Sequence, residues 1–267
     1  MEIKNKYKIN DWDNYYTTEH KIHIAPKRGF FVSYDIYLCD SILERYLPKY
    51  NGFLENKPKI CEIGCGDGKL VKKLADKFNY EPFGIEYSQS AINEAKKLGV
   101  NVISGDVFDR VLLEKYENFF DIVYSYGFIE HIDPPEKVVD IHLSLLKQGG
   151  IFFIQMPRFK GFNYWKMKFF RPDLIPLHNL DIMEDDKLSL LCNRPNIEIL
   201  FCQNYGTFKL RVPMDTKNAK YYFLRLLCFF EYLFNPIFRL LFGRHGFETK
   251  LFSPAIIFIG RKHLYDK

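Results

Sequence analysis

Short apolar runs alternate with helical patterns over most of this 267-residue chain, which predicts an α/β protein on a mostly parallel sheet. Two further features agree. A glycine turn joins the first run to its helix, as a strand-to-helix crossing requires. Two apolar runs close the chain without a crossover helix patterned like the earlier ones, which predicts an antiparallel pair at the end.

The elements follow in order. Residues 1–57 are polar and aromatic, with Val32, Ile36, Leu38, Ile42, Leu43, Tyr46 and Leu47 at helical spacing over 33–47. Pro48 and Asn51-Gly52 end that helix. Strands are predicted at KICEI (59–63), PFGIE (82–86), NVISG (101–105), FDIVYS (120–125) and IFFIQM (151–156). Helices are predicted at 68–78, 88–98, 109–117 and 134–147. Lys147-Gln148-Gly149-Gly150 reads as a helix stop, with glycine supplying positive φ. Residues 158–180 read as a long connection, 181–193 as a helix and 197–206 as a strand. Residues 208–250 read as an insertion of about two helices, split at Asn235-Pro236, and 253–262 as the last strand.

Composition narrows the class. A chain 47% hydrophobic and 27% charged is neither disordered nor fibrous. A net charge of +5 permits anionic partners without demanding them. A nucleic-acid enzyme would carry a larger basic excess or an added domain, so these numbers disfavour nucleic acid as a partner. The N-terminus lacks the apolar core of a signal peptide, and no run of ~18 apolar residues is free of charge. Six cysteines without a CxxC pair fit reduced thiols and a cytoplasmic setting, and Cys61 and Cys65 lack the second pair that a zinc site needs. The 17% aromatic content is uneven: residues 57–104 hold four rings, 152–170 eight and 221–242 nine.

The chemistry-bearing segment is Glu62-Ile63-Gly64-Cys65-Gly66-Asp67-Gly68-Lys69. Lys69 stands where the dinucleotide fingerprint needs its third glycine, and Leu70 stands where a phosphate-binding loop needs Ser or Thr. Glu86 ends the second strand, where an acid can accept ribose hydroxyls, and Tyr87 beside it can pack on an adenine face. Asp106 follows the third strand, where a carboxylate can accept from an exocyclic amine. All three lie at carboxyl ends of parallel strands, where open α/β sheets bind ligands.

These segments together resemble the class I S-adenosylmethionine-dependent methyltransferases, in particular their small-molecule O-methyltransferase branch. EIGCGDG is similar to the family's first motif, GIEYS to its ribose strand, SGDVFD to its adenine motif and SYGFIEHIDPP to its segment after the fourth strand. The likeness covers 59–157 and, in strand order, 181–206 and 253–262. It implies a Rossmann-like seven-stranded mostly parallel sheet with an antiparallel last strand and helical insertions after strands five and six. It implies S-adenosylmethionine as cofactor, S-adenosylhomocysteine as product and no metal. Carried over, Glu62, Gly64, Cys65 and Gly66 form the methionine and ribose cradle. Glu86 and Tyr87 meet the ribose and adenine, Asp106 and the Val107 amide meet the adenine, and Tyr126 lines the sulfonium side. Residues 1–56 become a helical lid, 57–267 the catalytic domain, and 158–180 and 208–250 its acceptor-side insertions. The amino-group nucleic-acid branch is disfavoured, because Ser125-Tyr126-Gly127-Phe128 replaces its Asn/Asp-Pro-Pro-aromatic motif.

Transfer to an alcohol needs a base with a pKa near the working pH, and histidine is the ready candidate. His131 follows the fourth strand, as a base or as a structural pin for its loop. His178 lies in the loop after the fifth strand, as a base or as a helix cap. His142 falls on an apolar helix stripe and reads as packed. Tyr16, His20 and His23 in the N-terminal segment and Trp165 are candidate acceptor contacts. Residues 158–171 interleave five cations with six rings and no acid, which fits a polar or anionic acceptor, such as a phosphorylated or nucleotide-linked sugar for surface polysaccharide, or a pocket lid. Residues 219–242 are apolar nearly all round, which fits core packing, a homodimer contact or a membrane surface. The other functions open to this sequence are quinone- or lipid-type methyl transfer at a membrane face, a nucleotide-binding module without turnover, and a dinucleotide-dependent oxidoreductase, which Lys69 and Asp106 disfavour.

Overall fold

The structure, a computed structural model, describes residues 4–5, 34–52 and 57–263. The glycine loop leaves β1 (Lys59–Ile63) and enters α2 (Lys69–Phe78); ahead of both lies α1 (Tyr34–Tyr46). Three crossovers follow, through β2 (Glu81–Glu86), α3 (Gln89–Lys97), β3 (Asn101–Ser104), α4 (Arg110–Lys115) and β4 (Phe120–Tyr126) to α5 (Glu136–Leu145) and β5 (Leu146–Pro157). The chain ends with α6 (Phe162–Phe170), α7 (Asp185–Cys192), β6 (Ile197–Tyr205), α8 (Ala219–Phe242) and β7 (Ala255–Lys262).

The seven-stranded sheet has the order β3-β2-β1-β4-β5-β7-β6. β7 runs antiparallel to both neighbours and lies inside the edge strand β6. The five strands β1–β5 pair in parallel. Strands covered on both faces read as unbroken apolar runs, and β5 shows why. Phe152, Ile154 and Met156 join the core under α5 and α7, whereas Ile151 and Phe153 join the core under α1 and α2. Tyr124 of β4 stacks on Phe153 at 4.4 Å and is fully buried. Replacing such a ring by alanine costs about 3–5 kcal/mol.

Residues 158–180, a long connection in which the resemblance implies a helical insertion, do contain α6 and a 3-10 turn, Pro172–Leu177. Other sequence expectations are corrected. The expected break at Asn235-Pro236 does not occur, and α8 continues through Pro236 for 24 residues. Pro236 removes one backbone donor, but the buried stripe from Tyr221 to Asn235 holds the preceding turns against α6 and the 208–214 strap. The Gly149-Gly150 stop is not what ends α5. That helix stops at Leu145, and the Lys262 ammonium donates to Leu143 O and Leu146 O, at 2.8 Å each. A cation at a helix C-terminus satisfies carbonyls that lack intrahelical donors. Gly149, at φ 76°, instead lies inside β5, where the pairing with β4 shifts register between Phe120 and Ile122.

The N-terminal lid expectation divides. α1 buries Tyr34, Leu38, Ile42 and Leu43 in the same core as β1 and β4, so it is part of the sheet's covering layer. The 6–33 segment, with Tyr16, His20 and His23, lies outside the described residues.

Candidate active site

The carboxyl ends of β1, β2, β3 and β4 form one rim, since Ile63 pairs with Ile85 and Ser125, and Glu86 with Ser104. On it the glycine loop turns through Gly64 (φ 69°), Gly66 (φ 52°) and Gly68 (φ 72°), a backbone region that favours glycine. A Cβ on Gly64 would come within 2.8 Å of the Phe128 ring. The loop is tied down by Gly64 N and Cys65 N, which both donate to Ile85 O. The Cys65 thiol fills the space where a side chain on Gly84 would stand.

Glu86 organises the rim. Its Oε2 accepts from Gly66 N at 2.9 Å, and its Oε1 accepts from Tyr87 N and Ser88 N at 2.9 Å. One carboxylate thereby fixes the glycine loop and the start of α3. Asp106 stands exposed after β3, its Oδ1 accepting from Phe108 N at 3.0 Å, while Val107 is buried beside it.

Glu62 lies beneath the loop at 4% exposure, with Tyr124 donating to it at 3.0 Å. Burial pushes this carboxyl up to about 8, against a smaller lowering by the Tyr124 hydrogen bond. Tyr126 is two-sided: 41% of the residue is exposed, while its phenol lies beside the buried Tyr205. Burial, then the nearby Cys39 and Asp35 of α1, raises that phenol well above its ordinary value. Gln155 donates to Tyr205 from behind at 2.9 Å. Tyr124, Phe128, Gln155 and Tyr205 are site residues that sequence reasoning missed. Their roles depend on cross-strand register, for which no local spacing is a signal.

The strongest convergence is beyond β4. The 3-10 turn Ile129–His131 is pinned to the loop after α6, with Asn179 N donating to Glu130 O at 2.7 Å. His131 Nδ1 bonds Leu177 O at 2.8 Å, and His178 Nδ1 bonds Leu174 O at 2.7 Å. These carbonyls place the proton of each neutral ring on Nδ1 and leave Nε2 as the basic nitrogen. The two rings stand edge to face, 4.5 Å apart, with Phe159 packed on His178 at 4.7 Å. Glu130, 1% exposed, sits 3.8 Å from His131 Nε2 and is pushed up to about 8 by burial. His142 is buried on α5, as expected, and burial lowers it to about 4.

Glu130, His131 and His178 place donor atoms within 4.8 Å of one another, a spacing that could hold a metal ion. A ligating carboxyl must be ionised, and the burial of Glu130 works against that. Trp165 is not drawn toward these groups; it is 65% exposed on α6, with Lys168 5.2 Å over its ring.

The cations of 158–171 are largely engaged within the protein. Arg158, 2% exposed, pairs with Glu184 at 2.9 Å, and Lys160 approaches the same carboxylate. Lys166 donates to Asn163 Oδ1 and Lys209 O, and burial lowers it to about 7. Arg171 pairs with Asp173 and Asp215.

The rim also has polar atoms to offer. Ser125 Oγ, Glu130 Oε2 and Gln155 Oε1 are buried, without a hydrogen-bond partner among the described residues. Together with glycines that bring backbone close to a ligand and an acid at the end of β2, they fit S-adenosylmethionine. Fold and rim thus have the architecture of the class I S-adenosylmethionine-dependent methyltransferases. The chain belongs to the family described as "Methyltransferase domain", whose model matches residues 31–185. A ubiquinone biosynthesis O-methyltransferase from Coxiella burnetii is 31% identical over 113 residues, 39% of this chain and 47% of that protein. The chain therefore spans about half the length of the curated relatives it matches. A methyltransferase structure from Archaeoglobus fulgidus gives a TM-score of 0.52 at 19% identity, over 87% of this chain and 96% of that one. Haemonchus contortus phosphoethanolamine N-methyltransferase 2, solved with S-adenosyl-L-methionine, gives a TM-score of 0.52 at 15% identity, over 98% of this chain and 59% of that one. At these identities the structural likeness concerns the fold.

Proposed function

We propose that the protein methylates a hydroxyl of a small acceptor, with the His131–His178 pair supplying the base. The observation that carries this is the paired imidazoles, each held by a backbone carbonyl with Nε2 as its basic nitrogen. The bound cofactor supplies an electrophilic methyl group on a sulfonium. Glu62, Gly64, Cys65, Gly66, Glu86, Tyr87, Asp106 and Val107 would hold it, and Tyr126 would line the reacting side. The imidazole Nε2 would take the acceptor's hydroxyl proton as that oxygen receives the methyl group. Positioning of the two reactants supplies much of the acceleration, and the base adds to it.

The acceptor we favour is a phenol or quinol of low charge rather than a phosphorylated or nucleotide-linked sugar. Two observations support this. The cations that suggested an anionic acceptor are mostly paired inside the protein. The curated relative named above is an O-methyltransferase of ubiquinone biosynthesis.

The test is transfer of labelled methyl from S-adenosylmethionine to catechols with apolar tails and, in parallel, to nucleotide-linked sugars. Methyl ether formed on the catechol is expected. His131→Ala or His178→Ala, whichever removes the base, should lower kcat by about 10²–10⁴-fold with cofactor affinity unchanged. Label reaching only the sugars would overturn the acceptor, and full turnover in both variants would overturn the base.

A further inference from the structure

α8 shows the core one face and the outside another of quite different character. Tyr221, Leu224, Cys228, Glu231 and Asn235 form its buried stripe. Opposite, an arc of about 140°, at 3.6 residues per turn, holds no charged side chain. Phe223, Leu226, Phe229, Phe230, Leu233 and Leu240 in this arc are 45–76% exposed. At 150–250 Å² per aromatic side chain, the exposed apolar area of α8 is on the order of 1,000 Å². Monomers rarely expose contiguous patches of more than a few hundred Å².

The surface continues onto α6. Phe170 stacks on Phe223 at 6.2 Å, and Lys220 Nζ donates to Phe169 O at 2.7 Å while standing 5.0 Å over the Phe169 ring. Phe169 and Trp165 are 53% and 65% exposed. The exposed charges of the two helices themselves have one sign. Lys220 and Arg225 flank the apolar arc on its two sides, and Lys168 caps the Trp165 ring. α6 contains no acid, and the single acid of α8, Glu231, is 3% exposed and accepts from Leu210 N, Arg211 N and Arg211 Nε.

We propose that the α6–α8 face docks on an anionic lipid bilayer, lying in its surface plane. Rings and leucines enter the acyl boundary, and Lys168, Lys220 and Arg225 remain at the phosphate level. Crossing the bilayer is a different matter: no helix among the described residues is long and apolar enough for it. A second copy of the chain fits the face less well. Two-fold pairing would set the cationic rims of both copies together with no acid on either helix surface to meet them. One partner helix would also leave much of so wide an arc uncovered.

The test uses the full chain with vesicles of phosphatidylcholine alone or with phosphatidylglycerol at one part in three. Co-sedimentation with the anionic vesicles is expected to exceed that with the neutral ones at least tenfold. In a Trp12→Phe background, Trp165 emission should shift to the blue and be quenched by brominated lipid. Phe229→Glu with Leu233→Glu should cut partitioning at least tenfold, with cofactor affinity and circular dichroism unchanged. Lys220→Glu with Arg225→Glu should remove the preference for anionic vesicles. Failure to partition, or partitioning that the Phe229/Leu233 variant leaves intact, overturns the proposal. So does a lipid-free dimer that this variant converts to monomer, since the face would then be a contact between copies.

Discussion

The rim of β1–β4 and the face of α6 and α8 meet the outside in opposite ways. At the rim, acids sit among glycines and receive backbone N–H groups, as Glu86 does from Gly66, Tyr87 and Ser88. On the α6–α8 face, rings are turned outward between flanking cations, and Lys166 is buried beneath them. The rim is specified by backbone geometry, which tolerates few residue types. The face is specified by apolar area, which many sequences supply. This contrast explains the uneven rings: a ring-poor loop lets backbone approach a ligand, and a ring-rich face provides contact area.

The sharpest way to break the comparison is Gly64→Ala. A Cβ at φ 69° and 2.8 Å from the Phe128 ring forces the loop to move. Cofactor affinity measured by calorimetry should fall ~100-fold or more, whereas Trp165→Ala on the other face should leave it unchanged. Equal losses in the two variants would remove the distinction. Glu86→Ala comes next, weakening cofactor binding by roughly 1–3 kcal/mol through loss of a charged acceptor. Unchanged affinity would sink its ribose role.

Burial of the rim acids makes two smaller predictions. Glu130 is raised to about 8, so the folded protein keeps a proton that the unfolded chain releases near 4.5. Its contribution is fully present below about pH 4.5 and is lost as pH rises toward 8, by at most about 1.4 kcal/mol per pH unit. His142, lowered to about 4, acts with the opposite sign up to about pH 6.5 and cancels when wild type and Glu130→Gln are compared. The Tm difference, wild type minus variant, should therefore decline from pH 5 to pH 8; a flat difference would contradict a neutral Glu130. The smallest effect concerns Glu62, also raised to about 8. A cationic ligand set against it favours the carboxylate, so S-adenosylmethionine binding near pH 7 should release up to one proton. Calorimetry in buffers of differing ionisation heat reads this directly, and buffer-independent heats would refute it.

The glycine loop, Glu86 and Asp106 were legible because each is a residue type tied to a strand end, and strand ends follow from local pattern. The Tyr124–Glu62 bond was not, because it needs the β1–β4 register, across 62 residues of chain. The end of α5 was misread for a similar reason: two glycines stand nearby, but the donor to its terminal carbonyls comes from Lys262, 116 residues beyond Leu146. Pro236 suggested a break because sequence reading weighs a lost hydrogen bond without the packing that outlasts it. His131 and His178 were each found separately, while their meeting at 4.5 Å depended on a loop whose path no periodicity encodes.

The position of β7 has a consequence for synthesis. Among the described residues β6 has β7 as its sole sheet neighbour, and β7 emerges from the ribosome roughly 50 residues later. At ~5–20 residues per second that interval lasts several seconds. During it the β6 edge lies open and the rings of α8 are made without their final surroundings. Nascent chains stalled within 206–254 should therefore be the species that chaperones hold and proteases cut.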